Sequence, residues 1–124
     1  MNNKDLLRRK LEYATPEELL FILLNNTDTK FKQVIKLWKE NNVEGTILAG
    51  KLHDNILELK LTLNTEIGDE KTREALRTIS SLYTFIIDEI TMASVRKDYE
   101  RLEKAHEIFL NIKSIFDEDR RNLK

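Results

Sequence analysis

The chain has 124 residues, 21 lysines and arginines against 22 aspartates and glutamates, a formal net charge of -1, 40% hydrophobic residues and no cysteine. That length fits a single domain over residues 1–124 that buries its core without staples, and the near-neutral balance leaves no field to draw the chain onto nucleic acid or an anionic membrane. Disulfide and thiol chemistry are excluded; no apolar run approaches the roughly 18 residues of a membrane span and no signal-peptide core opens the chain, so the expected location is the cytosol.

Three glycines and one proline leave the chain free to be helical throughout. Residues 1–13 hold a short leading helix, Lys4 to Tyr13, with Leu7 and Leu11 one turn apart; its basic cluster Arg8-Arg9-Lys10 sits beside Asp5 and Glu12 and reads as a solvated face. Ala14-Thr15-Pro16-Glu17-Glu18-Leu19 then starts the main body. Thr15 is placed to cap: its hydroxyl can accept from the amide of Glu18, whose carboxylate reaches back, and Pro16 stands at the first helical position, where no donor is needed. Glu17 and Glu18 face the positive end of the helix dipole.

The first long helix runs from Pro16 to about Asn41, with an apolar face of Leu20, Leu23, Leu24, Thr27, Phe31, Val34, Ile35 and Trp38. Asn41-Asn42 can take the left-handed conformation that ends it. The second runs from about Val43 to Ile67 on Leu48, Leu52, Ile56, Leu59, Leu63 and Ile67, with Gly45 and Gly50 each costing about 1 kcal/mol relative to alanine. Gly68 ends it and Asp69 caps the next, which runs to Arg96 on Leu76, Ile79, Leu82, Tyr83, Ile86, Ile87, Ile90 and Ala93. Asp98 caps the last, which reaches about Glu118 on Leu102, Ala105, Phe109, Ile112 and Phe116, leaving residues 119–124 as a frayed, charged tail. Connections this short force neighbours antiparallel, so the predicted fold is all-α: an antiparallel up-down four-helix bundle with a short N-terminal helix.

Placed at 100° intervals, several apolar residues fall outside these faces. Leu57 and Leu61 lie far from the Ile56-Leu59-Leu63 face, Phe85 and Met92 far from Tyr83-Ile86-Ile90, and Phe21 and Ile22 off the face of their helix. Either wide stripes and the leading helix cover them, or they form an open groove for an amphipathic partner helix, a surface that Met92 suits by its flexibility. The same stripes could instead serve self-association.

Nothing marks an enzyme. His53 and His106 have no second histidine at ligand spacing and read as surface residues, there is no glycine-rich phosphate loop, and the carboxylates interleave with lysines and arginines, as at Glu100-Lys104. No cofactor or metal is expected.

In order and spacing, Thr15-Pro16-Glu17-Glu18-Leu19, Ile22-Leu23-Leu24, Glu58-Leu59, Thr62-Leu63-Asn64, Glu66-Ile67-Gly68, Leu82-Tyr83 and Lys97-Asp98 resemble the flagellar secretion chaperones of the FliS family, from Ala14 to Phe116. Departures are a leader whose sole tyrosine is Tyr13, Leu24-Asn25-Asn26 in place of a Tyr-Asp-Gly, Asp28 where an apolar residue is usual, Ala93-Ser94, and Phe116 for a late tryptophan. The resemblance implies a cytosolic monomer or weak homodimer that binds the C-terminal segment of flagellin, keeps it from polymerising early and delivers it to an export gate component. The alternatives are a FliS-like adaptor or co-chaperone with a different client and a self-associating structural protein.

Overall fold

The computed structural model describes residues 16–122, with side chains described for 16–119. The leading helix expected over Lys4 to Tyr13, the Thr15 cap and the last two residues of the expected tail lie outside the described residues. Within them the chain forms four helices and no strand: α1 Pro16–Lys39, α2 Glu44–Thr62, α3 Glu70–Arg96 and α4 Tyr99–Asn122. Each helix packs on the next and α1 packs on α4, closing an antiparallel ring.

Local chemistry makes each joint. At the end of α1, Asn41 turns left-handed with φ 56°. The amide of Asn42 then donates to the Leu37 carbonyl at 2.8 Å and that of Asn41 to the Trp38 carbonyl at 3.0 Å, the paired bonds of a Schellman end. Asn42 also starts α2, its side-chain oxygen accepting from the amide of Glu44 at 2.9 Å. Gly45 is required here, because a Cβ on it would lie 2.6 Å from Cδ1 of Trp38. Trp38 in turn donates from Nε1 to Thr46 Oγ1 at 3.2 Å, so its one polar atom is satisfied at the joint.

Asp69 caps α3, accepting from the amide of Thr72 at 2.8 Å, and that bond holds its carboxyl below the ordinary range. Gly68 before it has φ 87°. The third joint uses one residue twice: after the left-handed Lys97, Asp98 donates its amide to the Ala93 carbonyl at 2.9 Å and accepts from the Arg101 amide at 3.1 Å.

The core is the ring of inward faces, with Leu24, Phe31, Val34, Leu52, Ile56, Ile86, Leu102 and Phe109 fully buried. Tyr83 is buried too, and burial pushes its hydroxyl up from the ordinary pKa. Thr27 satisfies its hydroxyl by donating to the Leu23 carbonyl at 2.7 Å.

Four expectations are corrected. Phe21 belongs to the core, at 6% exposure, because it sits one turn before Leu24 at the edge of a stripe wider than the idealised face. The second helix stops at Thr62 and not Ile67. Thr62 returns its hydroxyl to the Leu59 carbonyl, Leu63 turns extended, and Asn64 folds its side chain onto the amide of Glu66, so Ile67 leaves the core and is 55% exposed. The last helix continues through 119–122, where a frayed tail was expected, carried by half-buried Phe116 and a Lys113–Asp117 pair at 2.9 Å one turn apart.

His106 is the fourth correction, being no surface residue. Its ring stacks on Phe31 with centroids 4.8 Å apart, and Nε2 lies 2.6 Å from Oδ1 of Asp28, with both side chains under one-fifth exposed. Burial raises the pKa of Asp28, but the hydrogen bond with His106 and the pairing with Lys32 at 3.3 Å outweigh it and hold the carboxyl below its usual range. Asp28 thus replaces apolar contact with a polar tie between α1 and α4.

Candidate functional site

A bundle of four amphipathic helices needs one buried stripe per helix, and the apolar residues left over mark where it can bind. Most of them gather on three surfaces.

The largest is a groove of about 780 Å³ at one end of the bundle. Leu19, Leu20, Ile22 and Leu23 supply one wall from the first turns of α1, and Leu63 and Ile67 of the α2–α3 connection, Leu76 of α3 and Phe116 of α4 line the rest. Its opening follows from the early end of α2: extended Leu63 and the turn that follows it carry Ile67 outward where another turn of helix would have pressed it onto the core. The rim is polar, with Glu17, Asn26, Glu58 and Asn64. A lining so apolar, with no convergent set of polar groups inside, suits the side chains of a polypeptide better than a polar metabolite.

The second surface is the cleft between α3 and α4, about 560 Å³, lined by Phe85, Ala105 and Ile108 together with the charged Glu89, Asp98, Glu100, Arg101 and Lys104. Met92 stands beside it, its sulfur 3.2 Å from Nη2 of Arg101. Glu89 and Arg101 pair across the cleft, through Nε to Oε2 and through Nη2 to Oε1 at 3.3 Å. The strip is therefore apolar at Phe85 and Ile108, charged between them with Glu89 and Arg101 paired, and apolar again at Met92.

The third is the outward face of α2, where Leu57 and Leu61 are exposed along with Val43 and Ile47.

Of the residues that stood out in the sequence, the structure brings Phe85 and Met92 together, places half-buried Ile22 in the groove, sets Leu57 and Leu61 on a separate face and buries Phe21. Sequence reasoning missed Leu19 and Ile67. Leu19 could have been found, since it lies off the Leu20-Leu24 face; Ile67 could not, because its exposure depends on where α2 stops. Among the described residues no group of three or more His, Cys, Asp or Glu side chains is arranged to hold a metal, and no helix is long and apolar enough to cross a membrane. The departures Leu24 and Asp28 face inward, so neither lies on these surfaces, while Asn26 stays on the rim of the groove.

Residues 2–122 match the family described as flagellar protein FliS. The chain is also similar to the flagellar secretion chaperone FliS of Vibrio cholerae serotype O1, 28% identical over 111 residues that cover 88% of this chain and 78% of that protein.

Proposed function

The chain belongs to the FliS family of flagellar proteins, and we propose that it is a cytosolic export chaperone that binds the C-terminal segment of flagellin, prevents its premature polymerisation and escorts it to the export apparatus. The observation that carries this reading is the pairing of an open apolar groove at the bundle's end with a cleft between α3 and α4 in which Phe85, Ile108 and neighbouring Met92 flank a charged lining. A short helix fills one such site; an extended segment that folds as it binds can fill both. Ile22 and Phe116 would meet the client in the groove, and Phe85 and Met92 in the cleft, with exposed Ile115 on the path between them.

The energetics favour a wrapped client. Burying one leucine or phenylalanine contributes roughly 1.5–3 kcal/mol, and ordering a disordered segment costs about 2–5 kcal/mol, so several anchors must engage together.

Calorimetric titration with the cognate flagellin C-terminal segment tests it. Binding is expected with a negative heat-capacity change, weak salt dependence and a gain of helix in the client. No heat and no chromatographic shift at tens of micromolar, about the upper end of a working affinity, would remove the assignment while leaving the fold intact.

A further inference from the structure

The outward face of α2 carries a pattern that the client sites do not use. Val43, Ile47, Gly50, Asp54, Leu57 and Leu61 recur at alternating steps of four and three residues, directly opposite buried Leu52, Ile56 and Leu59. That alternation keeps a helix seam turned toward one neighbour. Here the four apolar members are 66%, 67%, 40% and 76% exposed, and no described helix covers them.

Gly50 is the second observation. A glycine inside a helix weakens it, and Gly45 has a reason in Trp38, but a Cβ on Gly50 would meet nothing within 4 Å. The bundle itself gives Gly50 no purpose. In the middle of an exposed seam it lets a second backbone approach closely, as small residues do wherever helices touch.

Charge decides what can lie there. A parallel second copy would set Asp54 against Asp54 in the seam, and an antiparallel one that seats Asp54 over Gly50 would align Glu44 with Glu58 and Lys51 with Lys51 along its edge. Both pairings repel. Asp54 is 79% exposed and holds only a 3.4 Å contact with neighbouring His53, so a helix covering it must bring a cation.

We propose that the outward face of α2 docks one amphipathic helix of a partner protein, whose apolar seam is broken midway by an arginine or lysine that pairs with Asp54 above Gly50. The site goes beyond the chaperone reading and rests on it only in leaving the groove and the α3–α4 cleft to the client. It makes the molecule a two-sided adaptor.

The test uses the full chain and a labelled synthetic helix of about three heptads, leucine at the seam positions and one central arginine, read by fluorescence anisotropy. Wild type is expected to bind it saturably. Ile47→Asp, Leu61→Asp and Gly50→Leu should each weaken binding by about tenfold or more with unchanged circular dichroism. Asp54→Arg should lose the arginine probe and gain one whose central residue is glutamate. Absence of binding, equal binding of both probes by wild type, or displacement of the probe by the flagellin C-terminal segment would each overturn the proposal. A flagellin segment that fails to bind while the probe behaves as described would instead remove the chaperone reading and leave this site standing.

Discussion

Replacing Phe85 and Met92 by serine separates client binding from folding. The two are 48% and 53% exposed and seven residues apart on α3, so the bundle uses about half of each side chain and leaves the other half open. If the client covers that half, each contact is worth about 0.8–1.5 kcal/mol from a full-burial value of roughly 1.5–3, a 4- to 12-fold change in Kd. Positions about 10 Å apart along one helix are nearly additive, so the double variant should lose about 1.5–3 kcal/mol, or 12- to 160-fold. Stability should move by only about 0.5 kcal/mol per surface change. Phe21→Ser is the contrast: at 6% exposure it leaves a cavity in the core, and a loss of the order of 3–5 kcal/mol is expected. Isothermal titration with the flagellin segment and urea unfolding followed by circular dichroism give both numbers. A double variant that binds within about twofold of wild type while remaining folded would refute the assignment of the cleft, and one that unfolds would show that Phe85 and Met92 carry the bundle.

Three further outcomes are expected. Phe31→Ala removes a fully buried ring that touches both His106 and Phe109 and should cost about 3–5 kcal/mol in chemical unfolding; a loss below about 1 kcal/mol would mean the α1–α4 contact is not formed. Because the carboxyl of Asp28 is held below its ordinary value of 3.8, its contribution is fully present above that pH and is lost as the pH falls through the lower folded value. The stability gap between wild type and Asp28→Asn should therefore close as the pH is taken below 3.8, which acid unfolding of the two proteins in parallel would show. The glycines should split, with Gly50→Ala stabilising by up to about 1 kcal/mol and Gly45→Ala destabilising through its 2.6 Å approach to Trp38, both read as thermal midpoints.

The helices, their inward faces and most of their joints were legible because each is written locally: Asn41-Asn42, Asp69 and Asp98 act on amides within a few residues of themselves. What was illegible depended on competition or on distance. Thr62 and Asn64 each prefer bonds that break a helix, and apolar Leu63 and Ile67 hid that preference behind a correct spacing. Asp28 and His106 are 78 residues apart and meet only in the closed ring, although a polar residue on an apolar stripe, between Leu24 and Phe31 or between Leu102 and Phe109, is a signal that such a partner exists. For the candidate site, Leu57 and Leu61 were visible as surplus, but the seam they share with Val43, Ile47, Gly50 and Asp54 becomes evident only with the whole outer face in view.

The closure of α1 on α4 also has a kinetic meaning. Three of the four helix interfaces join sequence neighbours through joints of a few residues, and such local hairpins form quickly because little chain entropy is lost in bringing their halves together. The α1–α4 interface alone must wait for the whole chain, and it is tied by polar contacts, Asp28 with His106 and Lys39 with Glu103 at 3.3 Å, as well as by the rings of Phe31 and Phe109. Substitutions along it should act mainly by hastening unfolding, with little change in the folding rate, and its amides should exchange through a smaller opening than those of the α2–α3 hairpin. During synthesis, the first three helices can stack as they emerge, while the ring stays open until the last residues of α4 are free.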